Sequence, residues 1–271
     1  MWSRFRHVLN LETDHGRLLC LHTARVPLTP FSLVLEAAPE APWPEPGTAA
    51  RLQDHCLTVG WMRVDLSRTH LMPAITVPKL EACWNSWPAV AALEPFVSQG
   101  GFGAWWDEQS TSRETLSAAL TASARGALRK LVATTRTIHC GTVEVVAAAE
   151  QLIGLGPGGT PSGDDALIGF LGAWLRLGSS PAAASNVAAV VAPRAHARTT
   201  RLAAEFYYHL AYGRLSYPLD QLLRAVALRD DRLVAQSADR LARYGATSGR
   251  DTITGVHAYL LTRLAANGNA R

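Results

Sequence analysis

The segment "GLGPGGTPSGDDALIGF", from Gly154 to Phe170, combines residue types that could bind a small molecule. Five glycines, two prolines, a serine and two adjacent aspartates, Asp164 and Asp165, precede an apolar run. A helix that begins after such a loop offers its positive N-terminal end to an anion. The acidic pair could instead hold a divalent metal or act as a base. The segment therefore predicts the mouth of a helix that binds an anionic small molecule.

A second copy of the pattern lies near the C-terminus. The segments 159–169 and 245–255 both read GxxSGxDxxxG, and both continue into an apolar run. The two serines, Ser162 and Ser248, are 86 residues apart (248 − 162). This spacing is too long for a solenoid repeat, so it indicates two related helix entries in one domain. We expect both helix N-termini to face one pocket.

The spacing inside the pattern predicts a capping box. A serine with an aspartate three positions later can satisfy the first N–H groups of a helix, and the glycine after the serine leaves such groups open to a ligand. Gly169 and Gly255 fall inside the helices, where glycine costs about 1 kcal/mol relative to alanine. Their matching positions predict that another helix passes close by. The structural alternative is that both segments are capped helix starts and nothing more.

The comparison of the two copies assigns roles to the carboxylates. Asp165 and Asp251 are common to both copies, so we expect them to hold the loops through backbone hydrogen bonds. Asp164 has Arg250 as its counterpart, so no cap needs a carboxylate there, and we expect Asp164 to be more available to a ligand or metal. The opposite charges would suit a ligand with a cationic or metal-bound end and an anionic end, or a direct Asp164–Arg250 pair.

Other residues carry weaker predictions. His139 precedes a helix and could carry a proton, although a surface or capping role is favoured for it and for His196. Cys140, beside His139, could be a nucleophile, but sequence neighbours seldom point at each other. Thr199 and Thr200 would cap the next helix. Guanidinium groups bind carboxylate or phosphate with two hydrogen bonds, and the chain offers Arg136, Arg194, Arg198, Arg201 and Arg250 as candidate clamps.

Several site classes are excluded by the motifs. The glycine loop lacks the GxxxxGK[ST] pattern of a Walker loop, and no strand–GxGxxG–helix unit fits a dinucleotide site. The four cysteines are scattered, without a CxxC pair or zinc-finger spacing, which is typical of thiols in a reducing compartment.

Composition limits the partners. Of the 271 residues 48% are hydrophobic and 18% charged, which is enough for a sizeable core, and the net charge is +4. No run of five or six Lys or Arg exists, so small anionic metabolites are favoured over nucleic acid. Since neither a signal-peptide pattern nor a long apolar run occurs, we expect a soluble cytoplasmic protein with no membrane partner.

The pattern changes near residue 110. Short apolar and partly β-branched segments before it, such as "GRLLCLHTARVPL", "FSLVLEAAP", "CLTVGWMRV" and "AITVPKL", predict strands, and helical spacing follows. Seven of the eight tryptophans precede this change, and we expect their rings to fill a small β core, or else to form a ligand-stacking surface. The predicted fold class is α+β: a β-rich, sandwich- or barrel-like domain over residues 1–112, then a mainly helical domain over 113–271.

The glycine segment also resembles a known family motif. "LIGLGPGGTPSGDDALIGFLGA" is similar to GLGxGLTPSGDDxLxGFL of the AllH family, with Gly159 in place of the usual leucine. The resemblance covers nearly the whole chain. It includes "SRFRHVLNLETDHGRLLCLHT" at the start, "RTTRLAAEFYYHLAYGRLSYPLDQLL" in the middle and "GATSGRDTITGVHAYL" at the end.

The resemblance implies a subunit of a carbamoyltransferase that works beside other protein subunits, within allantoin and purine degradation. The reaction would interconvert carbamoyl phosphate and oxamate with oxalurate and phosphate. Such a reaction needs a phosphate cradle, donors for the developing oxyanion and a clamp for a carboxylate. The candidate substrate-binding residues are Gly156, Gly158, Gly159, Thr160, Ser162, Gly163, Ser248, Gly249, Arg250 and Arg198. The candidate catalytic residues are Asp164, Asp165, Asp251 and His139.

Two alternatives stay open at this point. The chain could be a non-catalytic subunit that binds a metabolite or docks on partners. It could also be a metal-dependent hydrolase that uses Asp164, Asp165 and Asp251, in which case a divalent metal would be its cofactor. The sequence establishes no other cofactor.

Overall fold

The computed structural model describes residues 2–37, 39, 41–79, 86–99, 101–102, 116–136 and 142–266. The chain falls into two compact units, residues 1–75 and 76–271, and each is described by itself.

The first unit contains two sheets. The strands are β1 (Ser3–Arg4), β2 (Val8–Glu12), β3 (Leu18–Thr23), β4 (Ser32–Leu35), β5 (Ala50–Gln53), β6 (Cys56–Val59) and β7 (Met62–Asp65). The first four strands form one sheet in chain order, antiparallel except for the parallel β3–β4 pair. The last three form an antiparallel meander. Inward side chains of both sheets share one small core, so the unit is sandwich-like.

Only part of the tryptophan prediction is correct. Trp43 is buried in this core. The rings of Trp2 and Trp61 are exposed, and so is Trp87 in the second unit. Most of the side chains in this core are aliphatic, because the alternation along β2, β3 and β6 directs leucine and valine inward.

The second unit is helical. Its helices in the described part of the chain are α1 (Trp87–Val97), α2 (Leu116–Arg136), α3 (Thr142–Glu150), α4 (Ser162–Leu177), α5 (Pro181–Ala195), α6 (Arg201–Ala211), α7 (Tyr217–Leu228), α8 (Asp231–Ala242) and α9 (Ser248–Ala266). The β-then-α order is confirmed.

The change from strands to helices comes earlier than residue 110. The last strand among the described residues ends at Asp65, and α1 begins at Trp87 with Pro88 in its first turn. Residues 74–79 of "AITVPKL" form no strand, since the flanking prolines Pro73 and Pro78 cannot donate to a sheet. Whether residues 113–271 fold apart from 1–112 stays a prediction.

Helices α4 and α9 pack against each other more extensively than any other pair of elements in the described structure. Gly169 and Gly255 lie at the crossing: a Cβ at Gly169 would overlap the Thr252 carbonyl oxygen, and one at Gly255 the Ala166 carbonyl oxygen. The sequence prediction of a close helix passage at these glycines is therefore confirmed, and the neighbouring helix is in each case the other copy.

Candidate site at the paired N-termini of α4 and α9

The two copies of the GxxSGxD pattern lie side by side. The Thr160 hydroxyl, just before α4, is 2.9 Å from the Ser248 hydroxyl at the start of α9. Ser248 also hydrogen bonds to Asp165 of α4, and Ser162 of α4 hydrogen bonds to Asp251 of α9. The helices therefore run in the same direction with both N-termini at one end, as the sequence predicted.

The serines do not form the expected capping boxes. Each Ser–Asp pair joins the two helices, so the serine of one copy contacts the aspartate of the other. Pro161 is the N-cap of α4 and makes no side-chain cap. The paired carboxylates therefore connect two helix starts instead of closing one helix each.

The first-turn N–H groups at the repeated glycines are not open to a ligand either. Gly163 N–H donates to the Leu155 carbonyl at 2.8 Å, and Gly249 N–H donates to the Tyr244 carbonyl at 3.0 Å. A Cβ on Gly163 would overlap the Leu152 carbonyl oxygen. Gly163 thus permits close packing on the turn that follows α3, and Gly249, where a Cβ would overlap the Leu241 carbonyl oxygen, permits close packing on α8.

Asp164 is as buried as Asp251 and more buried than Asp165, contrary to the sequence prediction that it would be the more available carboxylate. It is fully buried and accepts hydrogen bonds from Tyr207 OH at 2.9 Å, Thr199 Oγ1 at 2.5 Å and Gly154 N–H at 3.1 Å. Burial raises the pKa of Asp164, and the three donors partly offset that rise. Asp164 therefore holds the glycine loop against α6, and it forms no pair with Arg250.

Asp251 is held by a segment that the sequence argument missed. Gly101 N–H donates to Asp251 Oδ1 at 2.8 Å, and Phe102 N–H, Ser162 and Thr247 also hydrogen bond to this carboxylate. Arg125 Nε in turn donates to the Phe102 carbonyl at 2.5 Å. The glycine run "GGFG" was the available signal, since a Cβ at Gly101 would lie 2.8 Å from Ser162 Oγ.

Asp165 has fewer partners. It is 7% exposed, and its hydrogen bonds come from the Ser248 and Thr160 hydroxyls. Its Oδ2 has no hydrogen-bond partner in the described structure. Burial raises the pKa of Asp165 well above its ordinary value, and the nearby Asp251 and Asp164 carboxylates raise it further.

The glycine loop is exposed over residues 157–159. Gly156 and Gly158 have left-handed backbone, with φ of +116° and +99°. Gly156 packs against the Ser162 N–H, whereas space is open around Gly158. The Gly159 carbonyl accepts a hydrogen bond from the Thr200 hydroxyl, which also caps α6. The first loop thus presents free backbone to solvent beside Thr160.

The candidate arginines differ in position. Arg250, in the first turn of α9, is half-buried, and its Nε has no hydrogen-bond partner among the residues described. Arg194 and Arg198 are exposed and pair with Glu150. Arg136 donates to the Leu261 carbonyl at 3.1 Å, and Arg201 is the first residue of α6. Arg250 is thus the arginine that lies within the repeat.

Three further candidates gain no support from the described residues. His196 is exposed at the end of α5. His139 and Cys140 lie outside the described residues. The described residues contain no cluster of three or more His, Cys, Asp or Glu that could hold a metal. Because Asp164 turns towards Tyr207 and Thr199, the three-aspartate metal site of the hydrolase alternative is not formed.

The comparison with protein families matches both parts of the chain. Residues 152–260 match the model described as oxamate carbamoyltransferase subunit AllH, and residues 2–71 match the AllH family N-terminal domain. The chain belongs to the AllH family. The AllH match contains both copies of the GxxSGxD pattern and therefore the whole α4–α9 pair.

No curated protein and no solved structure matches the chain. The AllH family is named as a subunit, which implies other protein subunits. Every helix in the described part of the chain is too short or too polar to span a membrane.

Proposed function

We propose that this chain is the substrate-binding subunit of a carbamoyltransferase that acts on a small amide carboxylate of the oxamate type. The family description supports the reaction class. The observation that supports the location is the meeting of two helix N-termini at Thr160 and Ser248, beside the exposed glycine loop. Two aligned helix starts favour negative charge on a ligand.

The reaction balances as a carbamoyl transfer. The amide nitrogen of the acceptor forms a bond to the carbamoyl carbon, the bond from that carbon to the phosphate oxygen breaks, and phosphate leaves with the electron pair. The amide nitrogen loses one proton, which ends on the departing phosphate as HPO4²⁻. In this proposal, Arg250 clamps an anionic group, since its Nε is unpaired in the described structure and a guanidinium suits carboxylate or phosphate. The hydroxyls of Thr160 and Ser248 orient the ligand.

The test is a thermal-shift series on the full chain with carbamoyl phosphate, phosphate, oxamate and oxalurate. A ligand that binds only the folded state at 100 times its Kd adds about 2.7 kcal/mol to stability, enough for a clear shift. We expect Arg250→Ala to reduce the shift. The matched control is Arg243→Ala, because Arg243 is exposed and pairs only with Asp239 in the described contacts.

The outcomes separate the candidates. Absence of a shift with all four compounds would refute ligand binding by this chain. Equal shifts in Arg250→Ala and Arg243→Ala would place the site elsewhere. Binding without phosphate release, even with the partner subunits present, would favour the non-catalytic metabolite-binding subunit.

A further inference from the structure

Helices α2 and α9 run in the same direction with their residues in register. Arg136 of α2 donates to the Leu261 carbonyl of α9 at 3.1 Å. Arg125, eleven residues before Arg136 (136 − 125), donates to the Phe102 carbonyl at 2.5 Å. The Phe102 N–H in turn hydrogen bonds to Asp251, ten residues before Leu261 (261 − 251). Because ten and eleven residues of helix have nearly the same length, the two helices are parallel and their N-terminal ends lie at one level.

The register places two arginines in the groove between these helices. Along α2, Arg129 and Arg136 lie four and eleven residues after Arg125, so the three side chains share one edge of the helix. Along α9, Arg250 and Leu261 share an edge in the same way, since they are also eleven residues apart. With Arg136 beside Leu261, Arg125 is level with Arg250, and Arg129 follows one turn later.

Neither Arg129 nor Arg250 has a counter-charge in the described structure. Nε and Nη2 of Arg129 and Nε of Arg250 are buried without a hydrogen-bond partner. Helix α2 contains no acidic residue, and the acidic residue of α9, Asp251, is held by Ser162, Thr247 and two backbone N–H groups. A cation that is partly removed from water without a partner is unfavourable, and two like charges in one groove also repel each other. An anion between the two arginines would offset both costs.

The outer nitrogens of the two side chains are accessible to such an anion. Both arginines are half-buried, and Nη1 of Arg129 and the two Nη atoms of Arg250 are neither buried nor hydrogen bonded within the described part of the chain. The adjoining side of α2 faces solvent, since Gly126 and Lys130 are exposed. Helical side chains lean towards the N-terminus of their helix, which directs Arg129 towards the start of α9. The positive end of α9 favours an anion at that place.

We propose that Arg129 and Arg250 together bind a phosphate group at the N-terminal end of the α2–α9 groove. Two guanidinium groups without a paired carboxylate match a phosphate, which carries nearly two negative charges at pH 7, better than a singly charged carboxylate. The inference rests on the proposed function in one respect, because it assigns this site to the phosphate of carbamoyl phosphate. The carboxylate of the acceptor is then left to the Thr160 and Ser248 hydroxyls.

Inorganic phosphate is the probe, in titration calorimetry on the full chain at constant ionic strength. Arg129→Gln and Arg250→Gln should each weaken the Kd for phosphate about tenfold or more, because each removes a charge-assisted hydrogen bond. Lys130→Gln is the matched control. It removes the same charge from an exposed neighbouring position and should change this Kd less than about twofold. Acetate, with a single charge, should bind the unmodified protein about tenfold more weakly than phosphate does.

Melting temperatures separate a ligand-binding role of Arg129 from a purely structural one. Without phosphate, Arg129→Gln should melt at the same temperature as the unmodified protein or higher, because it removes an unpaired charge near Arg250. Saturating phosphate should then raise the melting temperature of the unmodified protein and leave that of the variant nearly unchanged. A variant that melts lower by the same amount with and without phosphate would show that Arg129 only packs.

The outcomes separate the phosphate site from the proposed function. Equal phosphate affinity in Arg129→Gln and Lys130→Gln would overturn the assignment of Arg129, and so would an absence of phosphate binding to the unmodified protein. In both cases, binding of oxamate would leave the proposed function standing. Phosphate binding that depends on both arginines, with no binding of carbamoyl phosphate or oxamate, would support the phosphate site and refute the proposed function.

Discussion

The Ser162 hydroxyl hydrogen bonds to Asp251, a residue of the other helix, and the Ser248 hydroxyl does the same with Asp165. Each copy of the pattern therefore supplies the serine that hydrogen bonds to the aspartate of the other copy. The arrangement explains why serine, aspartate and the later glycine recur together at the same spacing. The hydroxyls join the helix starts, and the glycines let the backbones touch about two turns further on.

A double-mutant cycle can distinguish this cross-helix pairing from two separate capping boxes. We expect Ser162→Ala and Asp251→Ala to be coupled by roughly 0.5–3 kcal/mol in the free energy of unfolding, as residues in contact are. Ser162→Ala and Asp165→Ala should be close to additive. Denaturant unfolding of the single and double variants gives both numbers. The reverse result, with coupling inside α4, would support the capping box.

The glycines at the crossing should not tolerate a methyl group. Gly169→Ala and Gly255→Ala each place a Cβ against a backbone carbonyl of the partner helix, so either should destabilise by roughly 3 kcal/mol. Gly126→Ala is the control, since Gly126 lies on the exposed face of α2 with nothing within 4 Å of the added Cβ. There alanine should stabilise by about 0.5–1 kcal/mol. Urea unfolding measures all three, and similar effects at all three positions would contradict the packing argument.

The sequence predicted the fold class and the meeting of the two repeats, because glycine, serine and aspartate at fixed spacing reflect local backbone requirements. It did not predict the partner of each carboxylate. Asp164 was expected to be available, since the second copy has Arg250 there, but the donors that bury it, Thr199 and Tyr207, come from the region around α6. Contacts between residues distant in sequence, such as Gly101 with Asp251, leave no periodic pattern in a single sequence.

Asp164→Asn should be strongly destabilising, contrary to what an exposed ligand-binding carboxylate would show. Three hydrogen-bond donors point at the carboxylate, and an asparagine NH2 would face at least one of them inside the core. The expected loss is roughly 3 kcal/mol, typical of an uncompensated buried polar group. Asp239→Asn, an exposed position on α8, is the control and should change stability by less than about 0.5 kcal/mol. A melting temperature for Asp164→Asn close to that of the control would refute this role.

His257 should govern part of the acid limit of stability. Burial lowers the pKa of His257 from 6.5 to about 4, so the folded state keeps the ring neutral where the unfolded state protonates it. The stability that depends on the neutral His257 ring is fully present above pH 6.5. As pH falls towards 4, the free energy of unfolding drops by about 3 kcal/mol. His257→Gln cannot titrate and should show a shallower decline over this window. Unfolding free energies at pH 4, 5, 6 and 7 test the point, and parallel curves for the two proteins would contradict it.

The pH dependence that Asp165 adds to the free energy of unfolding should have the opposite sign to that of His257. Burial raises its folded-state pKa well above the ordinary 3.8, and the Asp251 and Asp164 carboxylates, whose own pKa values are also raised, add to that rise. The folded state therefore binds more protons than the unfolded state above pH 4. Stability from this group is fully present below that pH and is lost as pH rises through the folded-state pKa. Asp165→Asn removes this dependence, so its stability relative to the unmodified protein should grow as pH rises above 4 through the folded-state pKa, with unfolding free energies measured between pH 4 and pH 8. A stability difference that stays constant over this range would show that the Asp165 carboxyl titrates as it does in the unfolded chain.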